Sequence, residues 1–419
     1  MMDVVAAMPK YDEYKDSGVD WLGNIPHGWG IKKIYHLFRI GRGRVISQQE
    51  LVDDGAYPVY SSQTKNNGVL GYIETYDFDC DQVTWTTDGA NAGTVFLRRG
   101  KHNCTNVCGT LQPFKNSNIN LSFASYALSD ITRFYKRPDT NGAKIMNNEM
   151  AHVKLMVPSY EEQSNIARFL DQKTTQIEDA ISIKEKQIEL LKERKQIIIQ
   201  KAVTQGLNTD VPMKDSGVDW IGQIPEHWEM KRVKNIFRLV MQPSEKNNDH
   251  ELLSVYTDIG VKPRRELEER GNKASTTDGY WFVKKGDIVV NKLLAWMGAI
   301  GLSEYDGVTS PAYDILRPQL PVDGHYYHYL FRSGFCSAEL KRHSRGIMDM
   351  RLRLYFDKFG VIEVPYPPAS EQNEIIHALE IQMKDMDKGI EHLNIQINKL
   401  KEYKATLINS VVTGKIKVA

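Results

Sequence analysis

Glu161-Glu-Gln-Ser-Asn-Ile-Ala-Arg-Phe-Leu-Asp-Gln-Lys-Thr-Thr-Gln-Ile177 opens a helical run that continues to about Gln205, and Glu371-Gln-Asn-Glu-Ile-Ile-His-Ala-Leu379 lies at the head of a second, from about Ser370 to Thr413. At seven-residue spacing the first run aligns Leu170, Ile177, Leu191 and Ile198, with Ala167, Ile181, Ile188 and Ala202 on the adjacent line. The second aligns Leu379, Met386, Leu393, Leu400 and Leu407 beside Ile376, Met383, Ile390, Ile397 and Val411. Apolar residues alternating at three and four form a seam that stays turned toward a partner helix, so the two runs read as a coiled coil. At ~1.5 Å per residue each is a rod of about 60 Å, suited to acting as a spacer. Both open on Glu-Gln (Glu162-Gln163, Glu371-Gln372) and close on Val-Thr, at an offset of 209 residues.

The repeat extends outward. Lys15-Asp-Ser-Gly-Val-Asp-Trp-Leu-Gly-Asn-Ile-Pro-His-Gly-Trp29 returns as Lys214-Asp-Ser-Gly-Val-Asp-Trp-Ile-Gly-Gln-Ile-Pro-Glu-His-Trp228, here offset by 199 residues. Between opening segment and rod, each half turns strand-like. Val45-Ile46, Tyr57–Tyr60, Gly68–Ile73, Gln82–Thr86 and Gly93–Leu97 are β-branched or aromatic runs bounded by glycine turns, followed by a helix over Ser122–Tyr135. The second half gives Leu252–Tyr256, Gly279–Val283, Asp287–Val290 and Tyr313–Leu316, then a helix from His325 to Phe335. Proline-containing connectors lead into each rod, with Ser159 and Ser370 placed as helix caps. The fold class is therefore α+β: two mixed α/β domains joined by two long helices, with a pseudo-two-fold internal repeat. The expected division is an N-terminal extension over 1–14, domains over 15–158 and 208–366, spacer helices over 159–207 and 367–415, and a tail over 416–419.

Composition narrows the class without choosing a partner. The 419 residues are 41% hydrophobic and 26% charged with a formal charge of +1, a folded chain with no global polyanion signature. Four cysteines make no disulfide framework, and the N-terminus lacks a signal-peptide pattern. No apolar run is long enough for a membrane, and the expected location is cytoplasmic. Phosphate loops, dinucleotide loops and nucleophile elbows are absent. Asp139 with Lys144 is a fragment of a nuclease set at most. Cys104-x-x-x-Cys108 beside His102 reads as buried cysteines on a strand before it reads as half a metal site.

The turns carry basic and amide side chains with aromatics between them, a distribution suited to gripping DNA through phosphates and base edges. Candidate DNA contacts are Lys65, Asn67, Trp85, Asn91 and Lys101 in the first half and Lys262, Arg264, Lys292, Trp296, Arg345 and Arg351 in the second. Phe96, Phe282 and Tyr313 read as core. On the rods, Lys195 and Lys404 interrupt the seam, while Ile166, Phe169, Ile197, Ile199, Ile375, Ile381 and Ile408 lie off it, with Ile183 and Ile395. A two-helix pair would leave these wet, so they are expected to dock helices of another chain.

The doubled Lys-Asp-Ser-Gly-Val-Asp-Trp-x-Gly-x-Ile-Pro-x-x-Trp segment resembles those that open each half of type I restriction–modification specificity subunits. Gly286–Gly298 with Tyr305–Tyr313, and Thr87–Thr94 with Thr105–Gly109, are similar to two subtypes of that family's target-recognition domain. The resemblance spans roughly Tyr11 to Ile416 and implies a subunit without catalysis or cofactor of its own, whose two long helices pair as an antiparallel coiled coil and set the separation between half-sites. Its implied partners are double-stranded DNA with a bipartite asymmetric target, two adenine methyltransferase subunits and ATP-driven restriction/translocase subunits, which bind the S-adenosylmethionine, ATP and Mg. Alternatives are a coiled-coil scaffold whose domains bind proteins, an S-like domain of a methyltransferase-only system, and a nuclease built on Asp139.

Overall fold

The computed structural model describes residues 7–140, 142–267, 276–347 and 351–418. It divides into two compact units, residues 1–185 with 394–419 and residues 186–393. Four helices frame them: α1 (Leu121–Ile131), α2 (Tyr160–Gln205), α3 (Gly324–Arg332) and α4 (Ala369–Val412). The first unit holds the start of α2 against the end of α4; the second holds the end of α2 against the start of α4.

The seam pairs antiparallel within each unit. In the first unit Lys184 Nζ donates to Gln396 Oε1 at 2.6 Å, and Lys404 pairs with Glu178. In the second, Lys195 pairs with Asp387. The two seam lysines are thus accommodated by acidic residues on the facing helix, with their alkyl stems left to cover the apolar line.

Both units use one sheet order. In the first, Val95–Arg98, Gln82–Thr86, Cys108–Pro113 and Phe38–Arg42 lie side by side, all antiparallel. In the second, Ile300–Leu302, Ile288–Asn291, Tyr313–Pro318 and Phe237–Val240 repeat that order. A helix follows each sheet, α1 and α3, with a further helix, Gly334–His343, after α3 in the second unit. A proline-bearing strand then enters the rod: Lys154–Val157 pairs with Gly30–Lys33, and Glu363–Tyr366 with Glu229–Arg232. Val45-Ile46, expected as a strand, is irregular chain, because only Arg44 makes a bridge there, to Thr105.

The Glu-Gln opening of each rod has a structural cause. Gln163 is fully buried; its Oε1 accepts from Asn120 N–H at 2.8 Å and its Nε2 donates to the Pro158 carbonyl at 3.0 Å. Gln372, also fully buried, accepts from Asp323 N–H at 2.9 Å and donates to the Pro367 carbonyl at 2.8 Å. Asn120 and Asp323 are themselves the N-caps of α1 and α3. One amide side chain therefore ties rod, connector and domain helix together, leaving no buried donor bare. Ser159 Oγ accepts from Glu162 N–H at 3.2 Å as expected of a cap, whereas Ser370 lies inside α4, which already begins at Ala369 behind Pro367-Pro368.

The opening segments complete the cores. Leu22, Ile25 and Trp29 bury against Leu407, Val411, Val412 and Ile416 in the first unit. Ile221, Ile224 and Trp228 bury against Ile199, Ala202 and Val203 in the second. Each fully buried Leu, Ile or Trp here contributes about 1.5–3 kcal/mol.

Candidate nucleic-acid interface

The loops at one edge of the first unit's sheet gather several of the expected contacts. Lys65 and Asn67 are exposed on the short turn Lys65–Gly68. Exposed Asn91 ties its own loop to this turn through Nδ2 and the Ser62 carbonyl at 3.2 Å. Lys101 is exposed on a second four-stranded sheet, where its ammonium lies 4.4 Å from the Tyr76 ring centroid and 5.9 Å from that of Tyr57. Trp85 does not belong to this surface. It is 1% exposed at the centre of the Gln82–Thr86 strand, donates through Nε1 to the Ile145 carbonyl at 2.8 Å, and packs over Gly109. A Cβ on Gly109 would stand 2.2 Å from that indole, so the glycine is what lets the ring lie flat on the sheet.

The second unit brings together Lys292, Trp296 and the Arg345–Arg353 bridge. The Lys292 carbonyl accepts from Leu354 N–H at 2.8 Å, and the Lys341 ammonium lies 4.9 Å from the Trp296 ring. Arg345 and Arg351 are exposed, Arg345 paired with Asp357 at 3.0 Å. Lys292 is more committed: its Nζ donates to the Pro311 carbonyl at 2.9 Å and meets Asp314 at 3.3 Å. Burial of Asp314 pushes its carboxyl above the usual range, with Lys292 acting against that shift. Lys292 is therefore an internal counter-ion with limited freedom to meet a phosphate. Lys262 donates to Tyr305 Oη at 3.1 Å, and half-buried Arg264 follows it at the end of the Gly260–Pro263 strand. The loop Asn291–Gly298 also exposes Leu293, Leu294 and Met297.

Two arginines hold these loops in place, Arg98, which the sequence places in a basic cluster on a turn with Lys101, and Arg332. Arg98, 2% exposed, reaches the carbonyl of Asn67 at 2.7 Å. Burial lowers its pKa, partly offset by the polar groups of Tyr60, Cys104 and Cys108. In the second unit Arg332 donates to the carbonyls of Gly298 (2.7 Å), Thr257 (3.0 Å) and Asp258 (3.0 Å), clamping the Trp296 loop to a hairpin turn. A sequence pattern gives no sign that an arginine points inward.

The remaining motifs resolve simply. Cys104 and Cys108 are buried at neighbouring strand ends, and burial pushes both thiols up, that of Cys108 to about 11. Lys144 and Asp139 form a 3.0 Å ion pair across a two-strand hairpin. Among the described residues no group of three or more His, Cys, Asp or Glu side chains could hold a metal, and no helix is long and apolar enough to cross a membrane.

On the rods, the expected interface divides. Ile166, Ile199 and Ile375 are buried in their own unit's core, and Phe169 and Ile408 pack partly against it. The reason is that each rod end is covered by its globular block, which the two-helix reading left out. Ile197 and Ile381 are about half exposed, and so are Ile183, Leu190 and Ile395. Ile183, Leu190 and Ile197 recur at seven-residue spacing on the back of α2, away from the seam.

Residues 26–192 match the family model of the type I restriction modification DNA specificity domain. A putative type I specificity subunit N-terminal protein of Mycoplasma pneumoniae is 42% identical over 140 residues, 33% of this chain and 74% of that protein. A second putative type I specificity subunit from that organism is 42% identical over 139 residues, where the match spans only 38% of the relative. The type I restriction enzyme MjaVIII specificity subunit of Methanocaldococcus jannaschii is 23% identical over 94% of both chains. In fold, the chain is similar to one solved in work on assembly and conformational transition of the type I restriction–modification system, with TM-score 0.67, 12% identity and coverage of 93% of this chain and 98% of that one. It is also similar to the HsdS subunit of Thermoanaerobacter tengcongensis, with TM-score 0.52, 11% identity and coverage of 94% and 98%. The duplicated frame with its loop-borne cations is that of a DNA specificity protein. The chain belongs to the family of type I restriction–modification specificity subunits.

Proposed function

We propose that this chain is the non-catalytic reading head of a type I complex, each unit recognising one half of a bipartite, asymmetric DNA target. The observation that carries this is the pairing of one sheet-and-helix frame with two different loop sets. A shared frame presents loops in the same way, and different loops read different bases. The recognition domains are residues 15–158 and 208–366, and α2 and α4 set the spacer between half-sites. The exposed apolar residues on the helix backs, Ile197 and Ile381 among them, receive two adenine methyltransferase subunits. Restriction/translocase subunits join that assembly, with S-adenosylmethionine, ATP and Mg held by the partners.

Exchange of residues 240–360 for the corresponding block of another specificity subunit tests the division of labour. Sequencing of methylated adenines in cells carrying the chimaera should show one half of the motif replaced and the other retained. Change in both halves would sink the proposal. Ile197→Ser with Ile381→Ser should leave thermal stability within about 0.5 kcal/mol, since exposed sites contribute little, while weakening methyltransferase capture at least tenfold. Unchanged capture would move the docking surface elsewhere.

A further inference from the structure

The turn Lys65–Gly68 has a backbone that is held and side chains that are not. Asn66 (φ +49°, ψ +43°) and Asn67 (φ +51°, ψ +30°) are both left-handed, and Gly68 (φ +77°) follows them. Asparagine tolerates this region better than most residues, yet two in succession persist only where the surroundings impose them. Val69 N–H donates to the Asn66 carbonyl, Arg98 Nη1 to the Asn67 carbonyl at 2.7 Å, and Ser61 N–H to the Gly68 carbonyl at 3.0 Å. The carbonyls of Asn66, Asn67 and Gly68 are thereby fixed.

Arg98 is built for this task. Its guanidinium carbon lies 3.5 Å from the Tyr60 ring centroid and 4.2 Å from that of Phe96, and its Nε donates to Thr84 Oγ1 at 3.2 Å. Its Nη2 is buried without a hydrogen-bond partner and would stand 2.8 Å from a Cβ on Gly68. Burying a cation with a donor left over is costly, and merely joining two strands would not require it. Meanwhile Lys65, Asn66 and Asn67 are exposed, and among the described residues their side chains make no hydrogen bond. A carboxamide sets one donor beside one acceptor, the arrangement that matches N6 and N7 of adenine in the major groove. An ammonium beside it suits a backbone phosphate.

We propose that Asn66 and Asn67 read an adenine-containing base pair within the first unit's half-site, and that Arg98 is a positioning residue that presents them without touching DNA. This rests on the DNA-reading function proposed above. The test uses the full chain with its methyltransferase subunits, selecting from a random duplex library followed by sequencing. The unaltered complex selects a two-part motif; selection of no motif would overturn the DNA-reading function and this inference with it. Asn66→Asp or Asn67→Asp keeps a residue tolerant of the left-handed region on an exposed turn, so folding is not at stake. Because a carboxylate accepts from cytosine N4 and cannot donate to adenine N7, one of these variants should shift preference at one position from adenine toward cytosine by at least about tenfold. Arg98→Met should flatten preference at that same position by a similar factor while the rest of the first half-site and all of the second stay as they were. A two-part motif left unchanged by both aspartate variants would overturn the turn's role alone. Loss spread evenly over the first half-site in Arg98→Met would overturn the positioning role, because that is what general loosening of the unit does.

Discussion

The first and second units share a main sheet, the helix behind it and the opening segment, and differ in the strands and loops built beyond that sheet. Both set four antiparallel strands in the same order, cap the following helix with a short polar residue, and pin that cap with a buried glutamine from the rod. Even a peripheral aromatic contact recurs: Trp21 stacks on Phe134 at 4.4 Å, and Trp220 lies 5.5 Å from Phe335. Beyond the shared sheet they part. The first unit adds a second four-stranded sheet containing Tyr57–Tyr60 and Lys101–Cys104 as a parallel pair. The second adds two separate two-stranded ribbons, Leu253–Tyr256 with Gly260–Pro263 and Trp281–Val283 with Gly307–Thr309. The clamp on the loops also changes origin, from strand residue Arg98 to helix residue Arg332. The frame is fixed by packing, whereas the loops are free to differ so long as something buried holds them.

The largest test of this contrast falls on an ion pair that stands in the second unit's sheet. Asp287 is 2% exposed and meets Arg317 in two parallel bonds, Nε to Oδ1 at 2.8 Å and Nη2 to Oδ2 at 2.7 Å. Removing one partner strands the other, so Asp287→Ala should cost about 3–5 kcal/mol. Hydrogen exchange should show protection lost over 237–318 while 38–113 keeps its own. Equal loss in both would mean that the units unfold as one. Next in size, Gln163→Leu and Gln372→Leu should each cost about 2–3 kcal/mol, because each leaves a buried N–H and a carbonyl without partners. If the frame is shared as argued, the two losses read by denaturant unfolding should match; a several-fold disparity would break the equivalence.

Much of this frame was legible in the sequence, and the reason is periodicity. Heptads gave the rods to within a residue or two, and the Gln82–Thr86 strand falls as its β-branched run suggests. The Glu-Gln motif was visible, but its purpose depends on Asn120 and Asp323, which lie far away in the chain. The candidate interface was less legible. Trp85 looked like an exposed aromatic between polar residues, yet the glycine that makes room for it, Gly109, sits on a neighbouring strand. Ile166, Ile199 and Ile375 looked uncovered because a helical wheel shows one partner, and the globular blocks supply the others. The inward roles of Arg98 and Arg332 were invisible because an arginine is expected at the surface, which is where the basic run Arg98–His102 placed Arg98; the Asn66-Asn67-Gly68 triplet was the one local hint.

Acidification should separate the units more gently. His328 is half-buried behind the second unit's sheet, and desolvation, with the Arg332 charge adding to it, lowers its pKa to about 3 from 6.5. Its Nδ1 accepts from Leu302 N–H at 3.2 Å, which requires the neutral ring. Below 6.5 the unfolded chain takes up a proton that the folded chain refuses, so stability rises with pH across the window from 3 to 6.5 and falls as pH drops through it. The limiting slope is about 1.4 kcal/mol per pH unit. Between pH 7 and pH 5 the second unit should lose up to about 2 kcal/mol through this group, read by denaturant unfolding of the full chain with exchange over 237–318. His328→Asn should flatten that dependence; an unaltered slope would show the imidazole to be protonated in place.

The smallest effect tests where the first unit begins. Glu371 accepts from the indole of Trp228 and from His227 Nε2 at 2.6 Å, whereas its counterpart Glu162 accepts from Tyr11 Oη at 2.6 Å. Tyr11 also sets its ring edge-on to Trp29 at 5.8 Å, whose own indole N–H is buried without a partner. Desolvation and the Glu162 carboxylate both push the Tyr11 phenol up, so it remains a donor at any ordinary pH. A residue ahead of the repeat thus gives Glu162 the hydrogen bond that Trp228 gives Glu371 in the second unit. Tyr11→Phe removes one such bond to a charged acceptor that solvent can partly replace, a loss of about 1 kcal/mol. The matched variant Trp228→Phe should cost more, since it also opens a cavity in the core. If Tyr11→Phe leaves the first unit's unfolding midpoint where it was, residues before Lys15 are an appendage and the two units close their cores in different ways.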